Sequence, residues 1–186
     1  MESAYTLKYG VHKAYSEQEV VSCDTVQQGG CVGGNERLVY GWTASNGGLA
    51  LESAYPYTST AGSAAPCLTT GYTNDPTLKP LTPLSVKKGS TQALQAAVAQ
   101  QPVAVAIDSS SNVFQLYVGG VITAGCGNKT DHSVVVVGYN NTAKIPYFKI
   151  RNSWGESWGD KGYALISSDQ NLNTCNILTY NSFVSF

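Results

Sequence analysis

The rhythm of hydrophobic and polar positions changes once along this chain. From Met1 to Tyr9 apolar residues fall at 1, 4 and 5, and the run stops at Gly10, which predicts the closing turns of a helix with a glycine C-cap. Nothing before Met1 can serve as an N-cap, so the pattern reads as a helix whose beginning lies outside the chain. Ser16-Glu17-Gln18-Glu19 opens a second helix, with Ser16 as N-cap and Glu19 placed to complete a capping box. Glu36 to Ala44 reads as a third, broken by Asn46-Gly47-Gly48. Tyr55 to Pro83 is loop-like, holding five of the seven prolines (Pro56, Pro66, Pro76, Pro80, Pro83). Ser90 to Gln100 predicts a short helix with Leu94, Ala97 and Val98 on one face. Beyond Pro102 the period becomes two. Val103, Val105 and Ile107 alternate with Ala104 and Ala106, and Phe114 to Ile122, Ser133 to Tyr139, Tyr147 to Asn152 and Gly162 to Ser167 are further predicted strands. The expectation is an α+β chain, with a helical part at 1–82 and a mostly β part at 83–186.

Composition narrows the function classes. The chain has 186 residues, of which 42% are hydrophobic and only 12% charged, with a net charge of −1. That is enough apolar material for a core and too little charge for a disordered or coiled-coil protein. No Lys/Arg-rich run is present to neutralise phosphates, which argues against a nucleic-acid partner. Runs such as Val103 to Ile107 and Val134 to Val137 are far too short to span a membrane. The five cysteines (Cys23, Cys31, Cys67, Cys126, Cys175) form no CxxC pair, and only His12 and His132 could join them. A zinc site needs four ligands at tight paired spacing, so neither a metal nor another cofactor is expected. Scattered cysteines in a chain rich in Tyr, Gly and Asn fit disulfides made in an oxidising compartment. Two glycosylation sequons, Asn128-Lys129-Thr130 and Asn140-Asn141-Thr142, agree with that setting.

His132 opens a strongly β-branched strand beside Asp131. By itself such a histidine is more often structural than catalytic. Asn152 ends another predicted strand and is followed by Trp154 and Trp158 in a Gly-rich loop. A general base needs a third group to hold its ring in one tautomer, and an Asn amide shielded by an indole can do that. The plainer alternative makes the two Trp ordinary core aromatics and Asn152 a turn residue.

These segments, together with Ser16-Glu17-Gln18-Glu19 leading to Cys23, Gly30-Cys31-Val32-Gly33-Gly34, Gln101-Pro102-Val103, Cys126-Gly127-Asn128 and Gly162-Tyr163, resemble the papain-like (cathepsin L-like) cysteine peptidases along essentially the whole chain. The resemblance implies a two-domain fold, a helical left domain facing a β-barrel-like right domain, and peptide-bond cleavage through a thiolate. By position, His132 matches the catalytic His, Asn152 the Asn that orients it, and Trp154 the aromatic covering their bond, with Trp158 and Asp131 in support. Gly33 and Gly34 match glycines that bind extended substrate through their backbone, and Ala106 and Tyr180 match the lining of a substrate pocket. The family pattern pairs Cys23 with Cys67 and Cys126 with Cys175 and leaves Cys31 without a partner. The family's nucleophilic Cys-Trp pair has no counterpart, since none of the five cysteines is followed by Trp. It would begin the helix of which Met1 to Gly10 reads as the end. The expectation is therefore a peptidase whose nucleophile lies outside this chain, so that the chain by itself is inactive. A truncated, non-catalytic homologue acting as a binding or structural protein is the alternative. Expected partners are a peptide or protein substrate and a propeptide or protein inhibitor, in a lysosomal, vacuolar or secreted location.

Overall fold

A computed structural model describes residues 1–25 and 29–186. The chain divides into two units, one formed by Met1–Leu84 with Val184–Phe186, the other by Ser85–Phe183.

The first unit is mainly helical. Helix α1 (Glu2–Tyr9) ends on Gly10 in the left-handed region at φ 72°, as the sequence predicts. Helix α2 (Glu17–Cys23) is capped by Ser16, whose Oγ accepts from the Glu19 N–H at 2.9 Å. The reciprocal half of the capping box does not form. Ser16 N–H donates to the Ala50 carbonyl, and the Glu19 carboxylate accepts from Asn46 Nδ2 and Ala50 N–H at 2.8 and 2.7 Å. The buried carboxylate is satisfied by the neighbouring segment, which local spacing could not reveal. Helix α3 (Glu36–Ser45) starts on the Asn35 side chain. The break after it needs glycine, because at Gly48 (φ 114°) a Cβ would lie 2.0 Å from the Asp75 carbonyl oxygen. Tyr5, Tyr15, Leu49 and Leu78 form one apolar cluster and Ala4, Leu81 and Val184 another. Cys23 and Cys67 are joined by a disulfide.

The second unit holds most of the chain's sheet, all but residues 82–84 and 184–185. Strands β1 (Thr82–Ser85), β2 (Val103–Ile107), β3 (Val121–Ile122), β4 (His132–Asn140), β5 (Tyr147–Arg151), β6 (Tyr163–Ser167) and β7 (Tyr180–Ser185) hydrogen-bond in the order β1-β7-β2-β4-β5-β6-β3. β4 pairs antiparallel with both β2 and β5. Alternation sorts the side chains: Val103, Val105 and Ile107 are fully buried with Val136, Phe148, Ile150 and Ile166. Helix α4 (Thr91–Val98) caps on Ser90 and buries Leu94 and Ala97, with Val98 packed beside them. Cys126 and Cys175 form the second disulfide, and Cys31 of the first unit is free and exposed. Both pairings are those the resemblance implies.

One predicted strand is wrong in kind. Phe114 to Ile122 is a short helix, α5 (Asn112–Gln115), followed by a turn and the two-residue β3. Ser111 Oγ accepts from Phe114 N–H and starts the helix, and Tyr117 Oη donates to the Gly120 carbonyl across the turn. Alternating apolar letters there reflect one buried aromatic and two exposed aliphatics, Leu116 and Val118, not a strand face. Strands β1 and β7, adjacent at one end of the sheet order, have too little pattern to be read from sequence. β1 even contains Pro83, which an edge position tolerates.

Candidate active site

The site residues of the second unit meet where β4 begins and β5 ends. His132 is the first residue of β4 and lies opposite Ile107 of β2. Asn152 follows the last residue of β5 and is anchored by its N–H to the Gly162 carbonyl at 2.9 Å. Because β4 and β5 are antiparallel neighbours, these two ends are adjacent, and His132 Nε2 lies 2.8 Å from Asn152 Oδ1. The same Oδ1 accepts from the Ser153 backbone N–H at 2.8 Å. A backbone N–H can only donate, so that atom is the amide oxygen, and Nε2 of His132 is the nitrogen that carries the proton. The imidazole is thus held in one tautomer, with Nδ1 left for other chemistry. Asn152 is buried and His132 half-buried.

The aromatic residues form a stack over this bond. The Trp154 indole lies on the His132 ring, centroids 5.0 Å apart and planes 26° from parallel. Phe114 meets Trp154 edge-on at 5.5 Å, and Trp158 meets Trp154 in the same way at 5.5 Å. Trp158 does more than fill space. Its Nε1–H donates to the Phe114 and Gln115 carbonyls at 3.2 and 3.1 Å, satisfying carbonyls at the end of α5. Gly159 (φ 62°) lets the loop turn close to β6, since a Cβ there would sit 2.5 Å from the Tyr163 carbonyl oxygen.

A second layer holds the residues that precede His132. Asp131 N–H donates to the Ile107 carbonyl, and its carboxylate accepts from Ser109 N–H and Oγ at 2.8 and 3.0 Å. Buried Asp108 accepts from Ser110 N–H and Oγ and, through Oδ2, from Lys129 N–H at 2.9 Å. Hydrogen bonds from Ser110 and then Lys129 hold the Asp108 carboxyl below its usual range against the opposing effect of burial. Gly127 packs so tightly on that carboxylate that no Cβ would fit. Phe114, Asp108 and Ser109 escape sequence reasoning. The only local hint is that polar Asp108 directly ends an otherwise apolar strand.

The other candidates are placed separately. Ala106 pairs with Ser133 on one side and Tyr180 on the other, so the three form a row across β4, β2 and β7. Tyr180 is 54% exposed, with Lys88 Nζ 5.3 Å above its ring. Gly33 and Gly34 are exposed in the first unit, and Gly33 (φ 119°) has open space where a Cβ would be. Among the described residues no group of three or more His, Cys, Asp or Glu could hold a metal, and no helix is long and apolar enough to cross a membrane.

Comparison with known proteins sets these features in context. A family model described as papain family cysteine protease matches residues 1–185. The chain is 39% identical over 176 residues to cysteine endopeptidase RepA of Oryza sativa subsp. japonica, covering 92% of this chain and 46% of the relative. It is 40% identical over 149 residues to vignain of Ricinus communis, covering 80% of this chain and 40% of the relative. It therefore spans less than half the length of these relatives. The bromelain protease from Ananas comosus, solved in complex with an inhibitor, superposes with a TM-score of 0.85 at 30% identity, covering 100% of this chain and 84% of that one. The ragweed pollen allergen Amb a 11, a cysteine protease solved in its proform, superposes with a TM-score of 0.85 at 32% identity, covering 98% of this chain and 56% of that one.

Proposed function

The chain belongs to the papain family of cysteine proteases, and on that premise we propose that it is the histidine-bearing portion of a peptidase that cleaves peptide bonds by a Cys-His-Asn mechanism. The observation that carries the proposal is the 2.8 Å bond from His132 Nε2–H to an amide oxygen whose identity the Ser153 N–H fixes. That bond leaves His132 Nδ1 as the proton-transfer atom. Nδ1 takes the proton of the attacking thiol, giving a thiolate–imidazolium pair. The thiolate attacks the scissile carbonyl, Nδ1 returns the proton to the leaving amine, and water then releases the acyl-enzyme with Nδ1 as base. Asn152 and the Trp154 indole keep the ring in its working orientation throughout.

The nucleophile comes from outside these 186 residues. Four of the five cysteines are in disulfides and the fifth, Cys31, lacks the following Trp. The isolated chain accordingly hydrolyses no peptide. Gly33 and Gly34 offer backbone to an extended peptide or protein substrate, and the Ala106–Tyr180 row lines a side-chain pocket. Two disulfides support a vacuolar, lysosomal or secreted location, and the proform of Amb a 11 supports a propeptide as an additional partner. The test is made in the complete protein. His132→Ala should lower kcat/KM by about 10²–10⁴-fold, the usual worth of a general acid–base. Near-normal turnover would remove His132 from the mechanism. A complete protein that folds yet never labels with a thiol-directed peptide electrophile would instead make this a non-catalytic homologue.

A further inference from the structure

We propose that Asn140 is a site of covalent modification, carrying an N-linked oligosaccharide on its side-chain nitrogen. Of the two sequons, this one is folded into a self-contained turn. Asn140 Oδ1 accepts from Thr142 N–H at 2.9 Å, Thr142 Oγ1–H at 3.0 Å and Ala143 N–H at 3.0 Å. All three donors lie within three residues of the acceptor, so the turn forms on an emerging chain without any tertiary contact. Donors on Oδ1 draw amide electron density toward oxygen and make the Nδ2 protons more acidic, while Nδ2 itself has no protein partner among the described residues. The neighbouring Asn141 is occupied differently, exchanging amide hydrogen bonds with Gln95 at 2.6 and 3.3 Å.

The second sequon lacks this arrangement. Around Asn128 the backbone is pinned by distant groups: Lys129 N–H on Asp108, Asn176 Nδ2 on the Asn128 carbonyl, and the Cys126–Cys175 disulfide. No hydrogen bond joins Thr130 to Asn128 among the described residues. Its geometry exists only after folding. The two disulfides place maturation in an oxidising lumen, where a lipid-diphosphate-linked oligosaccharide is the glycosyl donor. In the transfer, Nδ2 bonds to the anomeric carbon of the first sugar. The bond from that carbon to the diphosphate oxygen breaks, the lipid diphosphate leaves, and one Nδ2 proton passes to the base of the transferring enzyme.

The position keeps the sugar clear of the chemistry. β4 runs nine residues from His132 to Asn140, which at roughly 3.3 Å per residue puts the modified nitrogen about 25 Å along the strand from the imidazole. The test expresses the complete protein through a eukaryotic secretory pathway and digests total cell and medium protein with a glycan-releasing amidase in heavy-oxygen water. Labelled aspartate is expected at position 140, lost in both Asn140→Gln and Thr142→Ala, with kcat/KM on a peptide substrate changed less than twofold in either variant. An unlabelled Asn140 in the parent protein overturns the proposal, as does label that survives Thr142→Ala. The mass readout does not depend on peptidase activity, so it stands or falls apart from the proposed reaction.

Discussion

His132 and Asn152 are 20 positions apart in the chain and 2.8 Å apart in space. What joins them is the antiparallel pairing of β4 with β5, which turns a strand start and a strand end into neighbours. The bond is partly sheltered under Trp154, itself 39% exposed. Asn152→Ala in the complete protein should leave the imidazole able to rotate. A hydrogen bond to a group that becomes charged is worth about 1.5–3 kcal/mol, so kcat should fall by roughly 10–150-fold with KM little changed. A kcat equal to the parent's would mean that packing alone orients the ring. At this scale the sequence is informative through the resemblance of its motifs to a known family, since His132 or Asn152 taken alone fits a structural role as well. The supporting carboxylate of Asp108 is not legible, since its role depends on Lys129 and Gly127 approaching from another loop.

Elements depend on their neighbours more than on their own letters. Helix α5 is only four residues long, too short to persist by propensity. It is kept by Ser111 at its start, by burial of Phe114, and by Trp158 Nε1–H on the Phe114 and Gln115 carbonyls. Trp158→Phe retains most of the apolar volume but removes the indole donor from the Gln115 carbonyl and leaves the Phe114 carbonyl with backbone donors alone, the Tyr117 N–H among them. The expected loss is about 1–3 kcal/mol, read as a lower urea midpoint of the complete protein, with weakened Trp154 near-UV dichroism. An unchanged midpoint would show that burial of Phe114 alone holds the helix. Strand β2 is readable directly from its alternation, because each side chain's face is set by the pleat, and β4 from its β-branched run. Phe114 to Ile122 misleads for the opposite reason: its alternation is accidental and tertiary hydrogen bonds decide its conformation.

Across the whole molecule, acid stability should follow a network in the first unit. Asp75 is ion-paired with Lys13 at 2.5 Å and accepts from Tyr15 Oη at 3.0 Å and from Thr77. Burial raises the Asp75 pKa, but the combined hydrogen bonds from Lys13, Thr77 and Tyr15 outweigh it and hold the carboxyl at about 2. A depressed carboxylate stabilises the fold above its unfolded pKa, about 3.9, and loses that contribution as pH falls toward 2. Asp75→Asn should cost on the order of 1–2 kcal/mol near neutral pH, allowing for the partial exposure of Lys13. It should also flatten the pH dependence of stability between about 4 and 2. Near-UV dichroism of Tyr5 and Tyr15 reports this, and an equally steep acid transition in the variant would shift the effect to other carboxylates. Sequence alone determined the class of fold and the position of the strong strands and helix caps, because those depend on local periodicity and capping chemistry, and it pointed to the His, Asn and Trp residues through the resemblance of their motifs to a known family. Only the tertiary structure decided that Val184–Phe186 return to the first unit, that Glu19 serves the Asn46–Ala50 segment and not its own helix cap, and that Asp108 braces the approach to His132. Each rests on contacts between residues far apart in the chain, where satisfying buried polar groups and filling the core outweigh local preference.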